Sequence, residues 1–321
     1  MYSQIKQLHI ELSSGCNALC PICARHIEFD NKRYLNKRIP YNQNLTVDDI
    51  DNILDSQNVS EDVAVNLCGN HGDPLWNKDI INIVKRVIYR RPIASLSVYT
   101  NGSLGKKDTW KQLAKYFTGT HSRGKVCRII SFSIDGLEDT NHIYRRNVKW
   151  NKVMENLRTF TSSGGVAEWK YIPFKHNTHQ IEEARTLAKQ LGFKEFRVDD
   201  EQNSMNFKFD IPKIQTVKEK IDRNVEDNKE YSGFVDSPMC KREKTIYISA
   251  DGLVFPCCHF GSWIYEADNQ KRDEIKSIFK IKSIREESFH SIVNNKLWNT
   301  LNNSIEKNPI EICIQECGKF S

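Results

Sequence analysis

Two periods alternate along the first two hundred residues of the chain. Short runs rich in β-branched and aromatic residues, at 7–12, 63–67, 95–99, 128–134, 168–172 and 195–198, predict strands. Between them apolar positions recur at helical spacing over 47–54, 78–89, 107–116, 151–161 and 181–191. Thr46 with Asp49 three residues on predicts a capped start to the first of these helices, and Gly192 a stop to the last. Six strand–helix alternations predict parallel βα units, an α/β fold whose functional loops follow the C-terminal ends of the strands. From 207 to 230 the rhythm breaks: twelve of the twenty-four residues are charged, and Ile214, Val217, Ile221 and Val225 keep a helical spacing. That predicts a solvated helical linker over 207–236, between a core of residues 1–206 and a smaller unit of 237–321. Within the smaller unit, 245–256 reads as a hairpin turning at Asp251-Gly252.

Composition narrows the class. With 39% apolar residues over 321 positions the chain has material for a large packed core, and global disorder is excluded. Lys and Arg number 47 against 41 Asp and Glu, so the excess of +6 is mild, and general coating of nucleic acid is not expected. No apolar run approaches the ~20 residues needed to span a bilayer, and no signal peptide pattern opens the chain, which predicts a soluble, cytoplasmic protein with no membrane partner. In that compartment ten cysteines point to metal rather than disulfides. Eight of them cluster, at 16, 20 and 23 and at 240, 257, 258, 313 and 317. Cys68 and Cys127 occupy strand-like apolar positions and are expected to be buried, inert thiols. Trp76, Trp150, Trp169, Trp263 and Trp298 are expected in core or junction packing.

The first cluster, Cys16-Asn-Ala-Leu-Cys20-Pro-Ile-Cys23, follows the first predicted strand. Thiolates at this spacing can hold three corners of an iron–sulfur cubane and leave the fourth iron without a protein ligand. A structural zinc site completed by His26 is the other reading of the same loop. This CxxxCxxC segment resembles the radical S-adenosylmethionine (SAM) enzymes. The resemblance implies a partial (β/α)6 TIM-like barrel, a 4Fe-4S cluster on Cys16, Cys20 and Cys23, and SAM bound at the open iron. It also implies reductive cleavage of SAM to methionine and a 5′-deoxyadenosyl radical that removes a hydrogen atom from substrate. Ile22 stands where the family usually carries an aromatic residue beside the adenine.

Further segments fit the resemblance in order. Gly72-Asp73-Pro74, after the second strand, corresponds to a GGEP-like element that meets the methionine amine, with His71 in place of a glycine and Asp in place of Glu. Asn101 and the Ser133-Ile134-Asp135 segment end the third and fourth strands, where similar enzymes touch the nucleoside. Downstream lie His142 and the pair Arg145-Arg146. Either arginine could clamp the methionine carboxylate as a bidentate fork, and the spacing does not choose between them.

The second cluster, with eleven residues between Cys240 and Gly252 and four between Gly252 and Cys257, resembles the SPASM and twitch extensions of the same enzymes. The resemblance implies a small C-terminal iron–sulfur domain. Five cysteines after residue 239 match one auxiliary 4Fe-4S cluster, held by Cys240, Cys257, Cys313 and Cys317, with Cys258 as alternate ligand because neighbours on an extended strand point to opposite faces. A zinc ribbon is the other reading. The expected reaction is oxidation or crosslinking of a peptide or protein side chain, with the auxiliary cluster relaying electrons and an external flavodoxin- or ferredoxin-like one-electron reductant as partner. The same chemistry on a small metabolite, carbohydrate or nucleotide is the alternative. The strand signal opens close to Met1, so no leader-binding domain is expected upstream. A rival of another class is a non-catalytic iron–sulfur or zinc module that docks nucleic acid through Lys241, Arg242 and Lys244.

Overall fold

The computed structural model of the chain describes residues 4–29, 32–120, 127–199, 239–266 and 281–295, together with Cys313 and Cys317. The expected linker helix at 207–236 and Trp298 lie outside the described residues. The strands are β1 (Ile5–Ile10), β2 (His26–Phe29), β3 (Lys32–Leu35), β4 (Val59–Leu67), β5 (Ser95–Thr100), β6 (Gly119–Thr120), β7 (Cys127–Ser133), β8 (Ala167–Tyr171), β9 (Glu195–Val198), β10 (Thr245–Ile248) and β11 (Val254–Phe255). The helices are α1 (Val47–Leu54), α2 (Ile80–Arg90), α3 (Lys107–Ala114), α4 (Asn141–Tyr144), α5 (Trp150–Ser162), α6 (Ile181–Gln190), α7 (Met239–Arg242), α8 (Cys258–Glu266) and α9 (Phe289–Asn294).

One large sheet runs in the order β11-β10-β1-β4-β5-β7-β8-β9, with β6 hydrogen-bonded to β7. From β10 to β9 every neighbouring pair along that path is parallel. The six strands β1, β4, β5, β7, β8 and β9 match the six expected from alternation, and helices connect them as βα units. The capping box at α1 is present: Asp49 N–H donates to Thr46 Oγ1 at 3.1 Å and Thr46 N–H to Asp49 Oδ2 at 2.8 Å. Gly192 lies just past α6 with φ +79°, the left-handed conformation that ends a helix at little cost only for glycine.

Two features depart from the simple alternation. A β2–β3 hairpin is inserted between the cysteine loop and α1. The C-terminal hairpin of β10 and β11 joins the main sheet, with β10 parallel to β1.

The two faces of the sheet differ in kind. Leu8, Ile10, Val65, Leu67, Leu96, Val98, Ile130, Phe132 and Trp169 point to the helices and are buried there with Ile53, Val84, Trp110, Leu157 and Phe160. Each such side chain contributes roughly 1.5–3 kcal/mol by leaving water. The Trp110 ring stacks on Phe132 at 5.3 Å between centroids, and its Nε1–H donates to the Leu104 carbonyl at 2.9 Å. The opposite face is polar. His9, Asn66 and Ser97 stand side by side, Ser131 stands beside Glu168, and Ser133, Lys170 and Arg197 form a third row. Parallel strands covered on both faces read as continuous apolar runs. The alternation here therefore marks a sheet face reserved for something other than core, and it is crossed by the ion pairs Arg197–Glu168 at 3.2 Å and Lys170–Asp199 at 2.8 Å.

Candidate active site

The C-terminal ends of β1, β4, β5 and β7 converge on one pocket of about 360 Å³. Cys16, Cys20 and Cys23 line it, along with Ile22, Arg25, the 69–73 loop, Tyr99, Thr100, Asn101, Ser133, Tyr144, Arg145 and Ser262.

The cysteine loop is shaped by its own backbone, by the Arg25 side chain and by the Arg146 carbonyl. Cys23 N–H donates to the Cys20 carbonyl at 3.2 Å, and Ala18 N–H to Cys16 Sγ at 3.3 Å. Arg25 donates to the Cys16 carbonyl at 2.9 Å and to the Ala18 carbonyl. Leu19 N–H donates to the Arg146 carbonyl at 2.9 Å, which ties the loop to the segment after α4. Gly72 brings the second loop against the first: a Cβ there would sit 1.8 Å from the Ser13 carbonyl oxygen, so the approach admits only glycine.

Asp73 organises the far wall. Its carboxylate accepts from Leu75 N–H at 2.9 Å, from the Thr100 hydroxyl at 2.9 and 3.0 Å, and from Asn101 N–H at 2.9 Å. Burial raises this carboxyl, and the donors work against that rise. Asn101, fixed in this way, donates through Nδ2 to Cys16 Sγ at 3.6 Å and to Asn17 Oδ1 at 3.1 Å. Pro74 begins a 3-10 turn, Pro74–Trp76, and is absent from the pocket lining.

Asp135 is fully buried beneath the pocket, where it receives Arg145 Nε–H at 2.6 Å and Ile172 N–H at 2.7 Å. Burial works against the Arg145 cation, but Asp135 and then Cys20 outweigh it, so the guanidinium is held charged. Its NH1 reaches Cys20 Sγ at 3.9 Å. Arg146 is exposed and does not line the pocket; His142 is also exposed. The short helix α4 ends at Tyr144, and this termination carries Arg145 inward, which spacing alone could not reveal.

Burial pushes the Cys16 thiol up to about 12, with Asp73 adding to the rise and Arg25 opposing it, and burial raises Cys20 as well. Thiols of this kind give up their protons to a metal. Among the described residues no three Cys, His, Asp or Glu side chains stand close enough to share one metal ion. A cluster spreads its thiolates over separate irons and does not require that convergence. No fourth cysteine lines the pocket, and His26, the fourth ligand of the zinc reading, is not in the lining. The donor set fits a cluster with an open iron.

In the C-terminal part, Cys257 precedes α8 and accepts from Phe260 N–H at 3.5 Å. Burial raises its thiol well above the ordinary value, with Cys258, Cys240 and Cys313 adding to the rise through their charges. Cys258 opens α8, so the pair stands at a helix start and not on an extended strand, and the Cys258 charge bears on Cys68 and Tyr247 as well as on Cys257. Cys317 is half-buried and packs against the core. Two expectations for the remaining thiols need correction. Cys127 is exposed at the first residue of β7, and Cys68 is half-buried just past β4.

Sequence reasoning missed Arg25, Tyr144 and a buried network on β1. Glu11 accepts from His71 N–H at 2.6 Å and from the Tyr247 hydroxyl at 2.7 Å. Burial pushes the Glu11 carboxyl up, but His71 and Tyr247 outweigh it and hold it below the usual carboxylate range. An acidic residue near the end of the predicted strand that precedes the cysteine motif was the available signal.

Residues 10–194 match the radical SAM superfamily, and the chain belongs to it. Residues 240–318 match the SPASM iron–sulfur cluster-binding domain. No curated protein matches the chain. Among solved structures the chain is similar to SuiB of Streptococcus suis bound to S-adenosylmethionine, at TM-score 0.57 and 17% identity over 93% of this chain and 68% of that one. It is also similar to SuiB bound to precursor peptide SuiA, at 0.59 and 15% over 93% and 67%. A third is anSMEcpe with bound AdoMet and Cp18Cys peptide, at 0.54 and 14% over 92% and 81%. The family's cofactors are a 4Fe-4S cluster and SAM, with an auxiliary iron–sulfur cluster in the SPASM domain. Among the described residues no helix is long and apolar enough to cross a membrane.

Proposed function

We propose that the chain is a radical SAM enzyme that oxidises or crosslinks a polar side chain of a peptide or protein, with Cys16, Cys20 and Cys23 as ligands of the site cluster. The observation that carries this reading is that one pocket at the strand ends is lined by buried Cys20, half-buried Cys16 and Cys23, two polar loops and a buried arginine. When bound, the cluster and SAM supply a 5′-deoxyadenosyl radical that takes a hydrogen atom from substrate. Ile22, Gly72, Asp73, Asn101 and Ser133 then surround the cosubstrate. Asp73 acts by holding Asn101 and the loop in place, and Pro74 by setting the turn behind them. Asp135 acts one step back, aiming Arg145, whose remaining N–H groups suit the methionine carboxylate. Arg146 contributes its backbone to the cysteine loop.

The substrate wall in this reading is the polar sheet face beyond Tyr99 and Ser133, where Lys170 and Arg197 alternate with Glu168 and Asp199. Such a wall favours a reacting group with hydrogen-bonding or charged atoms over an apolar one. A peptide is favoured by the precursor peptide in SuiB and the peptide in anSMEcpe. Cys240, Cys257, Cys313 and Cys317 are assigned to one auxiliary cluster, and four thiolate ligands favour electron relay over substrate binding there. Membership in an enzyme superfamily favours this reading over a nucleic-acid docking module.

The test is anaerobic reconstitution followed by dithionite and SAM. Wild type is expected to form 5′-deoxyadenosine, and the Cys16→Ala, Cys20→Ala and Cys23→Ala variants are not. Persistence of the product in those variants would overturn the assignment. Incubation with a complex peptide mixture should yield peptides lacking two hydrogens, and modification of small metabolites alone would refute the peptide substrate.

A further inference from the structure

Arg25 lies two residues beyond the last cysteine of the loop and is buried, with 4% of its surface exposed. Two of its nitrogens are accounted for: NH1 and NH2 donate to the carbonyls of Cys16 and Ala18, on the segment between the first two cysteines. The third, Nε, is buried and has no hydrogen-bond partner. Among the described residues no carboxylate stands within ion-pair distance of this guanidinium, and the side chain lines the cysteine pocket. The contrast with Arg145 is direct, since that cation has Asp135 at 2.6 Å. A buried cation without a counter-charge costs several kcal/mol, and a buried N–H without an acceptor adds to that cost. An anion beside the cation would offset both costs. The three thiols of the same pocket, once deprotonated on a cluster, are that anion.

We propose that Arg25 is the built-in counter-charge of the cluster on Cys16, Cys20 and Cys23: NH1 and NH2 shape the loop, and the unpartnered Nε–H is left for the cluster. The inference rests on the assignment of those three thiols as ligands. A cubane with three thiolates is net negative, and more so after it accepts an electron. A fixed neighbouring cation therefore stabilises the reduced form more than the oxidised form and raises the reduction potential.

The test compares wild type, Arg25→Gln and Arg25→Lys, each anaerobically reconstituted. Each is titrated with reductant while the paramagnetic signal that changes on addition of SAM is followed; this selects the site cluster over the auxiliary one. The expected result is a midpoint shifted to more negative potential in R25Q with iron content preserved, and a midpoint close to wild type in R25K, which keeps the charge. An unchanged midpoint in R25Q overturns the proposal. If R25Q assembles no site cluster, R25K decides. A cluster restored near the wild-type potential supports the charge, and a cluster lost there too shows that only the planar fork mattered and overturns it. A wild type with no SAM-responsive signal defeats the cluster assignment itself and is distinguishable from either result.

Discussion

Replacing Asp135 by Asn removes one charge from beneath the pocket and changes almost no volume. In the native chain its Oδ2 receives Arg145 Nε–H at 2.6 Å and its Oδ1 receives Ile172 N–H at 2.7 Å, so both oxygens are committed to donors. An amide offers one acceptor and one donor group. Its NH2 must then face either the guanidinium or the Ile172 N–H, and Arg145, whose side chain is only 16% exposed, loses its counter-charge. Removing one partner of a buried pair costs about 3–5 kcal/mol. At an unfolding slope near 3 kcal/mol per molar urea, that lowers the midpoint by about 1 M or more. Tryptophan fluorescence is a suitable probe, because Trp169 is fully buried and its Nε1–H donates to the carbonyl of Ile134, next to Asp135. In the double variant D135N/R145M the stranded cation is gone, so it should be more stable than D135N alone, with a coupling energy above about 1 kcal/mol in the cycle. A cost below about 1 kcal/mol for D135N, or simple additivity, would mean that the pair is solvated and does not support the pocket as described.

Cys257→Ser should lose the auxiliary cluster's iron and Cys258→Ser should retain it, read by iron and sulfide analysis after reconstitution; the reverse would transfer the ligand assignment. Gly72→Ala should abolish SAM binding, measured by equilibrium binding to the reconstituted protein, because the new methyl would meet the Ser13 carbonyl. His9 gives a pH dependence. Burial, against the pull of Glu11 and with help from His259, lowers its pKa to about 4 from an ordinary 6.5. A folded pKa below the unfolded one means that this contribution to stability is full above about pH 6.5 and is lost as pH falls towards 4. It amounts to at most about 3 kcal/mol. His9→Gln should flatten the unfolding midpoint over that window, and an unaltered slope would remove His9 as its source.

The strands of the barrel were legible as short runs rich in β-branched and aromatic residues set between helix-period stretches. Thr46, Asp49 and Gly192 marked helix ends through side-chain chemistry confined to a few neighbouring residues. What could not be read depends on contacts between distant segments. Arg25 looks like any surface arginine until the loop folds its carbonyls around it. Which of Arg145 and Arg146 lines the pocket depends on where α4 stops. Asp135 was expected beside the nucleoside; the structure commits it to Arg145, a partner ten residues on that pattern does not predict. The β2–β3 hairpin is made of two four-residue strands with Glu28, Lys32 and Arg33 among them, and so resembles a polar loop in composition. Cys127 reads as apolar by type and is exposed because it begins its strand.

The pairing of β10 with β1 has the largest functional consequence. Leu8 stands beside Ile246 and Ile10 beside Ile248, in the same direction along the sheet. β1 leads through Glu11 into the loop of Cys16, Cys20 and Cys23, whereas β10 turns at Gly252 into antiparallel β11, which carries the chain back along β10 before Cys257 and α8. The first cysteine set therefore follows the C-terminal end of β1, whereas Cys240 and Cys257 flank the β10–β11 hairpin towards the N-terminal end of β10, and Ser262 of α8 reaches the pocket. The C-terminal unit packs on the loops that line the pocket. Tyr247 on β10 donates to Glu11 on β1, the His71 ring packs edge-on against Tyr265 of α8 at 5.5 Å, and Asn70 donates to the Cys258 carbonyl at 3.1 Å and to Ser262 at 3.0 Å. His71 and Asn70 line the pocket, and Ser262 lines it from α8. The C-terminal unit thus supplies part of the pocket wall itself, so truncating the chain after the barrel would open the site as well as remove the auxiliary ligands.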